Sequence, residues 1–90
     1  MYLTIIIPVL NEMAQLPASI AALRPLSQRV EIICVDGGST DGTAEWLVEQ
    51  RGFRVAHSEQ GRGKQLNAGA ACATGDVFLF LHADCFLPEN

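Results

Sequence analysis

An apolar run that ends in charge carries the first chemical signal. Phe78-Leu79-Phe80-Leu81 leads straight into His82, Ala83 and Asp84. A buried strand has no use for a carboxylate, so Asp84 needs a task. A hard divalent cation held beside phosphates takes one or two protein oxygens and fills its other positions with phosphate and water. Asp84, at the end of a rigid strand, can supply one such oxygen. His82, two positions earlier, projects to the same side of an extended chain. It can hydrogen-bond ribose or phosphate, or ligate a softer metal. Taken alone, an Asp after a strand is more often a turn or a cap.

Three further clusters could act with it. Asp36 closes the apolar run Glu31 to Val35 and precedes Gly37-Gly38. Its alternatives are turn punctuation or a carboxylate that hydrogen-bonds a nucleotide base or ribose. Arg62 and Lys64 flank Gly63 just ahead of a helical pattern. Two cations and free backbone amides at a helix start suit a diphosphate, whereas the plain alternative is a solvated charged loop. Asn67 lies one helical turn beyond Lys64, so its amide can face the same way. Asn11 and Glu12 follow the first apolar run. Singly they would be an ordinary cap and an ordinary first-turn acid.

Known motifs do not absorb these residues. In a P-loop pattern the earlier glycine would fall on Ser58, and Gln65 rather than Ser or Thr follows Lys64. The dinucleotide fingerprint G-x-G-x-x-G would follow the first strand, where Pro8 to Glu12 stand instead. Read as a calcium loop from Asp36, positions three and five would be Gly38 and Thr40. The cysteines, Cys34, Cys72 and Cys85, form no C-x-x-C pair, and His57 and His82 are not spaced as zinc partners.

The elements that must position these side chains alternate. Leu3 to Val9 is a continuous β-branched run, the pattern of a strand covered on both faces in a parallel sheet. Pro8 marks its C-terminal end, because proline cannot donate to a ladder. A helix capped by Asn11 then buries Leu16, Ile20 and Leu23, with Pro25 just past its end. Glu31 to Val35 is a second strand. A helix from Thr43 to Gln50, with Asp41 as its cap, turns Ala44, Leu47 and Val48 toward the sheet and stops at Gly52. Phe53 to Ala56 is a third strand, Lys64 to Thr74 a third helix ended by Gly75, and Val77 to Leu81 a fourth strand. The order βαβαβαβ predicts a three-layer α/β/α domain with a mostly parallel, Rossmann-like sheet. In open α/β sheets ligands bind beyond the carboxyl ends of the strands. Asn11, Glu12, Asp36, His82 and Asp84 therefore belong on one rim.

Composition bounds the rest. Ninety residues make at most one modest domain, and 49% hydrophobic with 18% charged residues describes a chain that folds. Six basic against ten acidic residues leave a net charge of -4 and no basic run, so no nucleic-acid partner is expected. Three dispersed cysteines suggest a reducing compartment, and Leu3 to Leu10 is too short to span a bilayer and lacks the flanks of a signal peptide. A cytoplasmic location follows as the expectation. Membrane association of a longer protein stays open.

In order, TIIIPVLNE, VDGGSTDGT, GRGKQLNAGAACATGD and FLFLHADC resemble family 2 glycosyltransferases of the GT-A fold across nearly the whole chain. The His-Ala-Asp form resembles a bacterial subgroup linked to arsenosugar-type biosynthesis. The resemblance implies residue roles. Pro8, Asn11 and Glu12 fall in the first nucleotide-binding loop, and Asp36 reads the base, usually uracil. Lys64 and Asn67 run past the nucleotide sugar. His82-Ala83-Asp84 stands where the family carries Asp-x-Asp, with Asp84 on Mn²⁺ or Mg²⁺. His82 in place of the first Asp replaces an anionic oxygen by imidazole. The implied function is donor binding for sugar transfer from a nucleotide-diphosphate donor, a UDP-sugar, to an unknown acceptor. The general base is expected beyond residue 90, so residues 1–90 would be an N-terminal portion, inactive alone. A half-sheet leaves edges and apolar surface uncovered and predicts self-association. The alternative function is a noncatalytic nucleotide-binding or interaction module. A nucleotidylyltransferase would need a glycine-rich basic loop after the first strand, which Pro8 to Glu12 does not provide.

Overall fold

The computed structural model describes residues 2–81. Four strands, β1 (Leu3–Val9), β2 (Glu31–Asp36), β3 (Arg54–His57) and β4 (Val77–Phe80), form one sheet in the order β3-β2-β1-β4. Every adjacent pair is parallel. The helices are α1 (Leu16–Leu23), α2 (Thr43–Leu47) and α3 (Arg62–Cys72), and a 3₁₀ turn spans Arg24–Gln28.

Alternation along the central strands builds two cores. Ile5, Ile7 and Val9 of β1 and Ile32 and Cys34 of β2 pack with Leu16, Ile20 and Leu23 of α1, Leu47 of α2 and Phe53. Ile6, Ile33 and Val35 face the other way, toward Leu66, Ala68, Ala70 and Cys72 of α3. The small residues of α3 let it lie close to the sheet. A Cβ on Gly69 would stand 2.5 Å from Ile6 Cγ2 and 3.0 Å from Val35 Cγ2. This is the expected three-layer arrangement, and β1 and β2 are the strands covered on both faces.

The register fixes where the rim lies. Val9 pairs with Asp36, and Asp36 with His57. β4 joins β1 on its other side through Leu3–Ile6, and Leu81 N–H donates to Ile6 O at 3.0 Å. Pro8 is tolerated because the β4 ladder stops short of it. The chain thus steps outward from β1 to β2 to β3 and then returns to the far side of β1, which makes the β1–β4 boundary a topological switch point.

A polar lock ties the opposite end of the sheet. Glu31 is buried, and its Oε1 accepts hydrogen bonds from Thr4 Oγ1 (2.7 Å) and Thr74 N–H (2.8 Å). Its Oε2 pairs with Arg54, whose Nη1 also donates to Cys72 O at 2.9 Å. Gly75 N–H donates to Thr4 Oγ1 at 3.1 Å. Burial alone would raise the Glu31 carboxyl. The Thr74 N–H, the Thr4 hydroxyl and the Arg54 guanidinium outweigh it and draw it from 4.5 down to about 2.

Several sequence expectations are corrected. Asn11 does not cap α1, which starts only at Leu16 after Glu12 O accepts from Gln15 and Leu16 N–H. Asn11 instead adopts φ 52° and bonds across to another loop. α2 ends at Leu47 rather than Gln50, because Glu49 and Gln50 N–H bond three residues back, to Trp46 and Leu47 O. That tightening of the last turn rotates Val48 outward, 64% exposed instead of facing the sheet. α3 begins two residues earlier than predicted and ends at Cys72. β3 is shifted one residue, to Arg54–His57, and Phe53 packs in the core just before it.

Neither outer strand, β3 or β4, contains a buried residue, and β4 is the more exposed of the two. Val77, Phe78, Leu79 and Phe80 are each 40–49% exposed on an edge strand. Its apolar side chains are about half covered, Phe80 bordering a recess with Leu66 of α3.

Candidate functional site

The carboxyl ends of β1 and β2 carry loops that hold one another. Asp36 Oδ2 accepts hydrogen bonds from Gly38 N–H (2.9 Å) and Ser39 N–H (3.0 Å), an Asx turn that curls the chain back over the strand end. Gly38 takes φ 103°, a conformation an L side chain would strain. Asn11 N–H donates to Ser39 Oγ at 2.8 Å, and Asn11 Oδ1 accepts from Thr40 N–H at 2.8 Å. Glu12 N–H donates to Thr43 Oγ1 at 3.1 Å, and Met13 N–H to Asp41 Oδ2 at 3.2 Å. Asp41 Oδ1 also accepts from Thr43 N–H (3.0 Å) and from the Thr43 hydroxyl. The hydroxyl first, then the Met13 and Thr43 amides, lowers the Asp41 carboxyl below its usual value. Asp41 is not the N-cap of α2 as expected: that position is Gly42, at φ 90° and with no side-chain cap bond, and Asp41 stands one residue ahead and accepts from Thr43 N–H.

Asp36 itself is buried, 4% exposed. Its Oδ1 is buried without a hydrogen-bond partner, the one such side-chain atom among the described residues. A buried carboxylate oxygen left unpaired costs about 1–3 kcal/mol or more. It sits at the end of β2, in register with Val9, on the rim where the α/β architecture places ligands.

A cavity of about 210 Å³ is lined by Pro8, Val9, Leu10, Glu12, Arg62 and Gln65; Asp36 is not part of its lining, and Val9, its partner across the sheet, is. A smaller recess, lined by Pro8, Arg62, Leu66, Phe80 and Leu81, lies at the β1–β4 switch point. Pro8 and Arg62 border both, so the end of β4 adjoins the same region as the loop after β1. Arg62 opens α3 directly after Gly61, whose φ of 137° admits only a glycine comfortably.

The predicted site residues divide. Pro8 and Glu12 line the cavity, while Asn11 and Asp36 line none of it and instead hold the loops that follow β1 and β2. Lys64 and Asn67 are exposed on α3 and line neither recess. Lys64 Nζ instead lies 2.8 Å from Glu59 Oε1. His82 and Asp84, the two residues read as ligand and metal contacts, lie outside the described residues, as does Cys85. Among the described residues no group of three or more His, Cys, Asp or Glu could hold a metal. A cation bridging a diphosphate does not need one, since phosphate and water complete its shell.

Residue-type reasoning missed Ser39, Thr40 and Thr43 as the hydroxyl and amide partners of the first loop. The run Gly38-Ser39-Thr40-Asp41-Gly42-Thr43 held the signal, because short hydroxyl and carboxylate side chains bond nearby backbone. It also missed Gln65, buried at 5% exposure within α3. Nothing in one-dimensional spacing marks that residue.

The all-parallel sheet with helices on both faces places the chain in the α/β class, with its loops gathered at the carboxyl ends of the strands. The sequence profile described as Glycosyl transferase family 2 matches residues 4–90, and the chain belongs to that family. Among curated relatives, the PGL/p-HBAD biosynthesis glycosyltransferase of Mycobacterium bovis is 41% identical, over 96% of this chain and 36% of its own length. Undecaprenyl-phosphate 4-deoxy-4-formamido-L-arabinose transferase of Serratia proteamaculans is 37% identical, over 97% of this chain and 30% of its own. Glucosyl-3-phosphoglycerate synthase of Mycobacterium tuberculosis, solved with phosphoglyceric acid, superposes with a TM-score of 0.81 at 30% identity, over 92% of this chain and 33% of that one. The chain spans about a third of the length of the curated relatives it matches. The GT-A expectation for the fold is thereby met. No helix among the described residues is long and apolar enough to cross a membrane.

Proposed function

We propose that this chain is the donor-binding portion of an enzyme that transfers a sugar from a nucleotide-diphosphate donor, a UDP-sugar, to an acceptor hydroxyl. One observation carries the reading: Asp36 Oδ1 is buried, unpaired and on the ligand rim. With Oδ2 already occupied by two backbone amides, the carboxylate has one acceptor left for a base N–H. Uracil offers one imide N–H between two carbonyls, which suits that vacancy.

The diphosphate then falls toward the first turn of α3, where Arg62 borders the cavity and the helix N-terminus favours negative charge. Pro8 and Glu12 form the facing wall. Asp84 is the proposed contact for a divalent cation, Mn²⁺ or Mg²⁺, with His82 beside it. Support comes from Leu81, the last described residue, which borders a recess together with Pro8 and Arg62. Bound there, the cation would act as a Lewis acid on the leaving diphosphate. A single carboxylate fits such an ion when phosphate oxygens supply further ligands. Lys64 and Asn67 would serve the sugar end only if Lys64 leaves its partner Glu59.

Acceptor binding and the general base belong to sequence outside residues 1–90, as the lengths of the relatives suggest. Self-association of this chain through β4 is part of the same reading, since β4 is an uncharged apolar edge strand.

Calorimetric titration of UDP, with and without Mn²⁺, tests it. The chain is expected to bind UDP, and Mn²⁺ is expected to tighten binding. Asp36→Asn should weaken both titrations, and Asp84→Ala should remove only the effect of the metal. Equal, metal-independent binding by all three proteins would refute the assigned roles.

A further inference from the structure

Gln65 occupies an unusual place for a helical glutamine. It is 5% exposed, yet it lines the cavity beside Pro8, Val9, Glu12 and Arg62. Its Nε2 donates to Val9 O and to Val35 O, each at 2.9 Å. Both acceptors are carbonyls, so the amide group admits one orientation: the nitrogen faces the two strands and Oε1 is left over. Val9 O also accepts from Gly37 N–H at 3.0 Å. One side chain of α3 therefore bridges the ends of β1 and β2 at Val35, which precedes Asp36, and at Val9, the partner of Asp36 across the sheet.

The contact with Gly37 is equally close. A Cβ at Gly37 would lie 2.8 Å from Gln65 Cδ and 3.0 Å from both Nε2 and Oε1. The backbone at Gly37 is not left-handed, so glycine is required there by the carboxamide and not by φ. Gly37 is the residue between Asp36 and the Gly38 and Ser39 amides that hold it. The Gln65 carboxamide thus occupies the space a side chain at Gly37 would need, while Arg62, one turn earlier on the same helix, borders the cavity.

We infer that Gln65 is a positioning residue that couples the Asp36 turn to the first turn of α3, so that the base and diphosphate ends of a nucleotide meet groups held at a set separation. The inference rests on the donor-site reading above. It differs in locating affinity in a side chain whose nitrogen contacts only protein. A purely structural Gln65 would lower stability and leave the affinity of the folded protein unchanged. A positioning Gln65 changes affinity at temperatures where the variant is fully folded, and its side-chain amide resonances shift when nucleotide binds.

The experiment uses UDP with Mn²⁺ on the whole chain, with Gln65→Met and Gly37→Ala as variants. The Met side chain has similar length without the donor. The alanine Cβ would crowd the carboxamide while the sequence of α3 stays unchanged. Both are expected to raise the UDP dissociation constant about tenfold or more, measured by calorimetry well below each unfolding midpoint. The Gln65 side-chain NH₂ signals of the unsubstituted chain, identified by their loss in Gln65→Met, should move on UDP addition. If the unsubstituted chain binds UDP but folded Gln65→Met binds it equally well, the inference is overturned and the donor site stands. If the unsubstituted chain binds no UDP, the donor-site reading fails and the inference with it. If Gln65→Met does not fold, Gly37→Ala decides: weakened binding supports the coupling and unchanged binding overturns it.

Discussion

Glu31→Gln probes the lock at the foot of the sheet, where a single carboxylate joins β1, β2, β3 and the end of α3. In the folded chain this carboxyl titrates at about 2 against an ordinary 4.5. The unfolded chain therefore binds its proton first as pH falls, so the group stabilises the fold above about pH 4.5. That contribution fades as pH drops toward 2. At about 1.4 kcal/mol per pH unit, the difference amounts to about 3 kcal/mol at neutral pH, about 1.4 kcal/mol at pH 3 and about 0.4 kcal/mol at pH 2. Glutamine can still accept from Thr4 and Thr74, but its NH₂ would face the Arg54 guanidinium, donor against donor. Urea unfolding followed by far-ultraviolet circular dichroism at pH 7, 4 and 3 measures the gap between the two proteins. The expected result is a gap of about 3 kcal/mol at pH 7 that narrows by about 2 kcal/mol by pH 3. A gap of equal size at pH 7 and pH 3 would show that the charge contributes nothing, and the account of the lock would be wrong.

Gly69→Ala should force α3 off the sheet, since its Cβ would press on the fully buried Ile6 and Val35 side chains. A loss of about 1–3 kcal/mol is expected in the same urea assay. Asn11→Ala should cost about 1–3 kcal/mol, combining the left-handed backbone at φ 52° with the lost bond to Thr40 N–H, and Asn11→Gly should recover the backbone part. Sedimentation of the chain at tens of micromolar, as an order of magnitude, should show association that Phe78→Lys abolishes. A strictly monomeric unsubstituted chain would remove β4 as a pairing edge.

The order and class of the elements were legible in the residues. Continuous apolar runs in Leu3–Val9 and Glu31–Val35 fit strands covered on both faces, and their alternation with amphipathic segments is what pointed to a parallel α/β sheet. The rim position of Asp36 followed as well, because strand ends and the direction of a parallel sheet are local facts. Asp41 was legible as an acceptor for the start of α2, since an Asx side chain reaches the amide two residues on. What Asn11 does was not. Its left-handed backbone and its bond to Thr40 depend on a loop 29 positions away, and a cap reading uses only neighbours. The same holds for Val48, which a helical period turns inward and a tightened last turn sends into solvent. Gln65 is the clearest case. Its two acceptors lie 56 and 30 positions earlier in the chain and come together only because β1 and β2 pair in register. Periodicity reports which side of an element is apolar. It does not report which distant carbonyls end up within reach of one buried amide, and that was decided by strand register and by the close seat of α3 on the sheet.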